Sequence, residues 1–365
     1  MTETAPPSLP HALRVVHLPA RTPYARKLHG QDIRILNETT IRPGATVPAA
    51  VNAAWLLAHT PLNWLDALHL HHIDMEDLST LERLLDACAT SDVRVVFTAH
   101  DTRPMYGNTA EFTDRLRLLL SANVQWVGLT ENSLTELAGL LGTRPPATVI
   151  PHGYVAPPDT LLRRAREQGS GARFLMYGAS RPSRDQLSPV INWSLGVTDP
   201  ASTLRLLLRA FSPADFTPDS RVPLLLDTAR HDPRIRLSMH PYPTDDDVID
   251  AGLTSDVLLL PYLWGSHSGQ LELAFDLNLL PVCSRTGHLP EQHRQHQGLV
   301  GEPEWFDWST GHPNLFGERF LTAVENATAR LAAAPRRLDR TFLDYRTEEH
   351  KAILTAYAQI YGSGR

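Results

Sequence analysis

The stretch from Asp256 to Pro290, which reads DVLLLPYLWGSHSGQLELAFDLNLLPVCSRTGHLP, decides the fold. Its first apolar run, Val257–Leu260, ends at Pro261. A loop rich in glycine and serine follows, an amphipathic helical pattern begins near Gln270, and a second apolar run occupies residues 280–283. This succession of strand, loop, helix and strand is typical of a βαβ unit, whose two strands are parallel.

The loop of this unit predicts a binding site for an anion. Its residues 265–269 are Gly-Ser-His-Ser-Gly, so the helix begins on small side chains. The first turn of a helix has backbone N–H groups without partners in the helix, and the helix dipole adds partial positive charge there. The hydroxyl groups of Ser266 and Ser268 are further donors. We therefore expect a phosphate group to bind around Ser268, Gly269 and Gln270.

The composition excludes several classes of protein. The 365 residues carry a formal net charge of -6, whereas a protein that binds mainly nucleic acid needs a basic surface. The only cysteines, Cys88 and Cys283, are too few for a disulfide framework or a zinc cluster, and they predict a cytoplasmic protein. No apolar run reaches the ~18 residues of a membrane span. The N-terminus lacks the basic and apolar regions of a signal peptide.

Short apolar runs alternate with helical patterns along the whole chain, which predicts an α/β fold with doubly wound parallel sheets. A polar segment at residues 157–171 ends in Gly-Ser-Gly and divides the alternation into two series, so we expect two Rossmann-like domains. The predicted strands are residues 13–18, 32–36, 65–69, 93–98, 125–129 and 147–151 in the first series, and 174–177, 222–226, 235–239, 257–261 and 280–283 in the second. An amphipathic helix is predicted at residues 348–361.

Residues that follow the strands are the candidates for function, because ligands of such sheets bind beyond the carboxyl ends of the strands. The strand at 93–98 leads to His100 and Asp101. A histidine in this position could act in catalysis or could simply bond to the backbone of its loop. The loop after the first strand has no G-x-G-x-x-G pattern, so we expect no dinucleotide cofactor.

The strand at 174–177 leads to Gly178, Arg181 and Arg184. Two arginines held beside a binding site could grip a diphosphate by charge-assisted hydrogen bonds. Two arginines of a solvated loop are the simpler interpretation. The anion site expected at the helix start favours the functional one, since a phosphorylated ligand would account for both features.

Two clusters of potential metal ligands have plainer explanations. No Cys or Glu near the His69-Leu70-His71-His72 segment in sequence completes a set of metal ligands. Alternation along a strand places only His69 and His71 on one face. The acidic run at residues 245–247 precedes an apolar helical pattern, where acidic residues favour the first turn of a helix. We therefore predict no metal site.

Four segments, in this order, resemble GT-B glycosyltransferases of family 4, which are retaining enzymes that use nucleotide sugars. They are residues 95–101 (VVFTAHD), 149–154 (VIPHGY), 177–184 (YGASRPSR) and 260–287. The resemblance implies two Rossmann-like domains that face each other across a cleft. It implies an acceptor-side domain at residues 1–155, a nucleotide-sugar domain at 156–335 and a final helix at 336–365 that returns to the N-terminal domain.

The resemblance also implies roles for single residues. Arg181 and Arg184 match positions that bind the donor diphosphate, and His100, followed by Asp101, matches a histidine near the transferred sugar. The remaining candidates for the donor diphosphate and sugar are Gly178, Ser266, Ser268, Gly269 and Gln270. The family commonly has two glutamates eight positions apart, where this chain has Ser266 and Ala274, and the first loop lacks the family's paired glycines.

The resemblance predicts a glycosyltransferase that moves a sugar from a nucleotide-diphosphate sugar to a sugar, lipid or small-molecule acceptor, with retention and without a metal or other cofactor. The missing glutamates leave a second hypothesis open, a catalytically altered or inactive homologue that binds a ligand or a partner. An epimerase of similar fold, which would need an acidic residue in the cleft, is a less favoured alternative. A phosphorylase would need a cofactor-binding lysine, and no candidate loop contains a lysine. The sequence does not specify the sugar, the base or the oligomeric state.

Overall fold

A computed structural model describes residues 12–19, 22–37, 41, 51–105, 108–164, 169, 171–179, 183–211, 216, 222–308, 313–334 and 336–363, except the side chains of 313–316. The chain forms two compact units. The first unit comprises Met1–Gly153 together with Glu348–Arg365, and the second unit comprises Tyr154–Thr347. Each unit has its own sheet of six strands, flanked by helices.

The sheet of the first unit is parallel throughout, in the order β2-β1-β3-β4-β5-β6. Its strands are β1 (Leu13–Leu18), β2 (Ile33–Leu36), β3 (Ala67–Leu70), β4 (Arg94–Ala99), β5 (Gln125–Gly128) and β6 (Ala147–Val149). The helices between them are α1 (Pro23–Lys27), α2 (Ala53–His59), α3 (Leu78–Thr90), α4 (Thr109–Ser121) and α5 (Glu131–Leu141), with a short 3₁₀ helix at Leu62–Trp64.

Side-chain caps fix where these helices begin. The side chain of Asn108 accepts a hydrogen bond from the amide of Glu111 and that of Thr130 accepts one from Ser133, so the first turns of α4 and α5 are satisfied. Thr130 directly precedes α5 and is its N-cap.

The sheet of the second unit is also parallel, in the order β12-β11-β10-β7-β8-β9. Its strands are β7 (Arg173–Gly178), β8 (Thr203–Arg209), β9 (Ile235–His240), β10 (Val257–Leu260), β11 (Leu280–Ser284) and β12 (Glu304–Phe306). Its helices are α6 (Pro158–Leu161), α7 (Leu187–Gly196), α8 (Val222–His231), α9 (Asp245–Leu253), α10 (Gly269–Asp276), α11 (Leu289–Arg294) and α12 (Pro313–Ala333). A final helix, α13 (Arg340–Gly362), spans the boundary of the two units along the chain.

The strand predicted at residues 222–226 is wrong, because this segment is the start of helix α8. Leu225 and Ala229, four positions apart, are buried, whereas Leu224 is 51% exposed. A short apolar run does not distinguish a strand from the buried stripe of a helix. The sequence also gave no sign of β8, whose apolar pattern is interrupted by Arg205 and bounded by Arg209.

Helix α13 contributes to both cores by different residues. Its early residues Phe342 and Leu343 are buried in the second unit. Its later residues Ile353, Tyr357 and Tyr361 are buried in the first unit, on the sheet face of β1 that carries Leu13 and Val15. The prediction at 348–361 captured only this later part. Among the described residues, no helix is long and apolar enough to cross a membrane.

Candidate functional site

The carboxyl ends of β7 and β10 lie side by side, because the two strands are parallel neighbours in the sheet of the second unit. Gly178 is the last residue of β7, and Tyr262 follows the end of β10. Helix α10 begins a few residues later, at Gly269. The βαβ unit read from the sequence is therefore present, and its helix start lies at the sheet edge where ligands of such folds bind.

Gly178 lies between the side chains of Arg184 and Gln270. A Cβ atom at position 178 would lie 2.8 Å from Nη1 of Arg184 and 2.9 Å from Nε2 of Gln270. The φ angle of Gly178 is 113°, a backbone conformation that favours glycine. Gln270 is anchored by a 2.8 Å hydrogen bond from its Nε2 to the carbonyl of Tyr177. We call Gly178, Arg184, Ser268, Gly269 and Gln270 the arginine cradle.

Arg184 is held in place by Tyr262. The two residues form an antiparallel β-bridge, Nη2 of Arg184 donates to the Tyr262 hydroxyl at 2.8 Å, and the guanidinium lies 4.6 Å from the centre of the tyrosine ring. Nε of Arg184 is buried and has no hydrogen-bond partner among the described residues. A partly buried cation whose buried Nε has an unused donor is a feature expected of an anion site.

The start of α10 is fixed from several directions. Ser268 caps the helix by accepting from the amide of Leu271, and its hydroxyl lies 2.7 Å from that of Tyr262. The amide group of Gln292 bonds to both the N–H and the carbonyl of Ser268, at 2.9 and 2.8 Å. The backbone amides of Gly269 and Gln270 precede the first hydrogen bonds of the helix, those to the Ser268 carbonyl. They are the N–H groups that a helix start can offer to an anion.

The structure thus brings together five of the residues selected from the sequence, namely those of the arginine cradle. Their role in binding a donor stays a prediction. Arg181 lies outside the described residues. Ser266 is completely buried in the loop between β10 and α10. Tyr262 is not among the site residues predicted from the sequence, although it directly follows the strand end at Pro261.

The first unit gathers histidines on one face of its sheet. His17 of β1 and His69 of β3 are paired in register, and His71 follows on the same face as His69. His17, His69 and His71 are buried, and His100, just after β4, is partly buried. Burial lowers the pKa of His17 to about 3 and holds the pKa of His71 well below its ordinary value. The rings of His17 and His71 are therefore neutral near pH 7.

Hydrogen bonds join three of these rings in a row. Nδ1 of His17 lies 2.7 Å from Nε2 of His71, and Nδ1 of His71 lies 3.0 Å from Nε2 of His100. The Tyr24 ring packs edge-on against His100, with 4.7 Å between ring centres. Asp101, the other residue predicted to be catalytic, follows His100 and is partly buried. His69 is outside the row, since its nitrogens contact the hydroxyl groups of Tyr361 and Thr98 at 2.6 and 2.7 Å.

Solved structures of glycosyltransferases match this chain over most of its length. HepE of Anabaena, in complex with UDP and glucose, matches with 12% sequence identity and a TM-score of 0.56 over 94% of this chain and 100% of HepE. A glycosyltransferase of Rickettsia africae matches with 12% identity and a TM-score of 0.63 over 97% of this chain and 98% of its own. Sucrose-phosphate synthase of Thermosynechococcus elongatus matches with 14% identity and a TM-score of 0.52 over 91% of this chain and 84% of its own.

The chain has the GT-B fold. No protein-family model and no curated protein matches the sequence. The GT-B fold predicted from the sequence is confirmed, whereas membership of family 4 and retaining chemistry stay predictions.

In this GT-B protein Glu272 of α10 has a structural role. Glu272 is completely buried, and its carboxylate contacts Arg346 at 2.5 Å, His296 at 3.1 Å and Gln292 at 2.8 Å. Burial alone would raise the pKa of Glu272, but the charge of Arg346 and then that of His296 hold it well below its usual range. Arg346 also donates to Asp276 at 2.8 Å. Glu272 is thus engaged inside the second unit by other side chains.

The histidines give this GT-B protein one group of possible metal ligands among its described residues. One nitrogen each of His17, His69 and His71 lies within 4.8 Å of the other two. The sequence-based reason for predicting no metal site was therefore incomplete, because β1 brings His17 beside His69 of β3 and His71 just after that strand. The acidic run Asp245–Asp247 does form a helix start, in which Thr244 and Asp247 make a capping box.

Proposed function

We propose that this protein transfers a sugar from a nucleotide-diphosphate sugar to an acceptor. The observation that carries the proposal is the arginine cradle at the carboxyl ends of β7 and β10, in a chain with the GT-B fold. One partly buried arginine, a glycine without a side chain and a capped helix start converge there. UDP bound to HepE, a protein of the same fold, supports a nucleotide as the donor's carrier.

Departure of the nucleotide diphosphate is the step that the arginine cradle would assist. Negative charge develops on the phosphate oxygens as the bond to the sugar breaks. Arg184 and the backbone N–H groups of Gly269 and Gln270 would stabilise that charge in place. The Tyr262 hydroxyl, which bonds to both Arg184 and Ser268, holds these donors in position before the substrate arrives. In this proposal the transfer needs neither a metal nor another cofactor.

We propose that the first unit contacts the transferred sugar or the acceptor. His100, with Asp101 after it, would contact the transferred sugar or the acceptor, and the second unit would hold the donor. Retention of configuration follows from the resemblance to family 4 and belongs to the proposal. The acceptor is a sugar, a lipid or a small molecule, and the cytoplasmic location predicted from the cysteine content stays a prediction.

The test is binding of UDP and GDP, measured by calorimetry, to the wild type and to Arg184→Ala. A hydrogen bond to a charged group contributes about 1.5–3 kcal/mol, so the variant should bind the nucleoside diphosphate roughly tenfold more weakly or worse. Binding of uridine or guanosine should hardly change. Arg117→Ala is the control, because Arg117 is an exposed residue of α4 paired only with Asp114 in the contacts described. Equal diphosphate affinity of the wild type and Arg184→Ala would contradict the assignment of the cradle.

A catalytically inactive binding protein is the second candidate. Ser266 and Ala274 occupy the positions of the family's glutamates, and Glu272 is engaged by Arg346 in the interior. A protein of this kind would bind nucleotide sugars without consuming them, or would not bind them. Incubation with a panel of UDP- and GDP-sugars, followed by detection of free UDP or GDP, separates the two candidates. Release of nucleotide that Arg184→Ala abolishes favours the enzyme.

A further inference from the structure

The two hydrogen bonds that join His17, His71 and His100 must run in the same direction along the row. A neutral imidazole has one N–H donor and one bare nitrogen that accepts. The row contains two hydrogen bonds, which allow two arrangements. In the first, Nδ1 of His17 donates to His71 and Nδ1 of His71 donates to His100. In the second, Nε2 of His100 donates to His71 and Nε2 of His71 donates to His17. In the first arrangement His100 accepts at Nε2 and bears its proton on Nδ1. In the second, His100 donates from Nε2 and Nδ1 is bare.

The far end of the row selects between the two arrangements. Nε2 of His17 is buried and has no hydrogen-bond partner among the described residues. In the second arrangement this nitrogen would bear a proton, so an N–H group would be buried without an acceptor. In the first arrangement it is a bare nitrogen. Buried N–H groups without an acceptor are rarer than buried acceptors without a donor, which favours the first arrangement.

A metal ion is a poorer account of the same rings. Two nitrogen ligands of a tetrahedral zinc ion with bonds of about 2.0–2.1 Å lie roughly 3.3 Å apart. Nδ1 of His17 and Nε2 of His71 are 2.7 Å apart, which is a hydrogen-bond distance between one N–H and one bare nitrogen. Both nitrogens of His69 already contact hydroxyl groups.

We infer that His17 and His71 are positioning residues that fix His100 in the form with its proton on Nδ1. His100 then carries its proton on Nδ1 and is not poised to remove a proton there. In many sites the hydrogen bond made by one ring nitrogen of a histidine decides whether the other nitrogen bears the proton. The inference rests on the proposed function for its consequence, which is that His100 donates a hydrogen bond to an oxygen of the sugar or the acceptor.

The tautomers can be measured without any turnover. Two-bond ¹H–¹⁵N correlation spectra of the full chain labelled with ¹⁵N-histidine distinguish the two neutral forms, and the signals are assigned by their loss in single variants. We expect the form protonated on Nδ1 for His17, His71 and His100 at pH 7.5. A His100 ring protonated on Nε2 would overturn the inference. The proposed function could fail while this result stands, because the spectra need no donor or acceptor.

Two variants distinguish a role of His71 in positioning His100 from a general effect on the fold. His71→Leu removes the donor to His100, so the form of His100 protonated on Nε2 should become populated. His69→Leu removes an equally buried ring outside the row and should leave the His100 tautomer unchanged. In transfer assays His71→Leu should lower kcat by at least roughly tenfold more than His69→Leu, with little change in KM for the donor. An unchanged His100 tautomer in His71→Leu would refute the positioning role.

Elemental analysis of protein purified without chelators tests whether the histidines bind a metal ion instead. Less than about one-tenth of a metal ion per chain would agree with a row of hydrogen-bonded rings. Stoichiometric zinc, nickel or copper that is lost in His17→Leu would overturn the assignment of the row.

Discussion

Arg184 lies where a side chain on Gly178 would have to be: a Cβ atom at position 178 would be 2.8 Å from Nη1 of Arg184. The glycine therefore serves the arginine in two ways. It leaves space for the guanidinium, and its φ of 113° turns the chain at the end of β7. The strand end and the helix start can then share one ligand.

Gly178→Ala should consequently weaken binding of UDP or GDP by roughly tenfold or more, because Arg184 and Gln270 must move away from the new methyl group. The strained backbone should also lower the free energy of unfolding by about 1–3 kcal/mol. Calorimetry and urea denaturation measure the two effects. Gly139→Ala, in the last turn of α5, is the control, since no atom outside the helix's own backbone lies within 4 Å of the added carbon. That change should raise stability by up to about 1 kcal/mol, and a loss of nucleotide affinity in it would count against the site.

Ser268→Ala should affect both the helix and the ligand. Loss of a serine cap lowers the free energy of unfolding by about 1 kcal/mol, and loss of the bond to Tyr262 loosens the support of Arg184. Asn108→Ala removes the cap of α4 in the first unit and should cost about the same stability. Only Ser268→Ala should weaken diphosphate binding. If both variants bind UDP or GDP like the wild type, Ser268 is a structural cap and nothing more.

Arg346→Met should be among the most destabilising changes in the second unit. Arg346 is completely buried between Glu272 and Asp276, and removal of one partner from a buried ion pair costs about 3–5 kcal/mol. Arg117→Met, which breaks an exposed pair with Asp114, should cost less than about 1 kcal/mol. Urea denaturation at pH 7 compares the two variants.

The Glu272 carboxylate gives this ion pair a pH dependence. Its pKa is held below the ordinary value in the folded chain, with burial opposing and Arg346 favouring the charged form. The stability that it contributes is therefore present above the unfolded pKa of about 4.3 and is lost as the pH falls through the lower folded value. The difference between the wild type and Arg346→Met should shrink as the pH falls, beginning above about 4.3, because burial without Arg346 raises the pKa of Glu272 in the variant and the carboxylate takes up a proton there first. A constant difference would contradict the assignment of the charge.

The buried histidines should make the protein lose stability in mild acid. Burial lowers the pKa of His17 to about 3, and burial followed by the charges of neighbouring histidines lowers the pKa of His69 and His71. The unfolded chain takes up protons at these positions below about pH 6.5, whereas the folded chain does not. The free energy of unfolding should be at its full value above that pH and should fall below it, by up to about 1.4 kcal/mol per pH unit for each histidine.

For His17 this decline should continue to about pH 3. Denaturation curves between pH 7.5 and 5 measure the slope, and His17→Leu should reduce it by the share of one histidine. An unchanged slope in that variant would show that His17 is not the source.

Much of the fold could be predicted from the order of residues along the chain. The run Val257–Leu260, the small residues of the loop and the helix start at Ser268 are local features, and local geometry decides them. Residues 222–226 were misread because the buried stripe of Leu225 and Ala229 depends on what packs against the segment. Strand β8 was not predicted for the same reason, since its burial also depends on what packs against it.

The sequence by itself determined the α/β class, the parallel βαβ units and the position of the arginine cradle at a strand end, since alternation, turn residues and helix caps act over a few positions. Only the tertiary structure decided which distant side chains meet. Parallel pairing of β1 with β3 brings His17 beside residues more than fifty positions away, and Arg346 reaches Glu272 from another helix. Such contacts depend on the order of strands in the sheet and on which faces are covered, which no local pattern in the chain specifies.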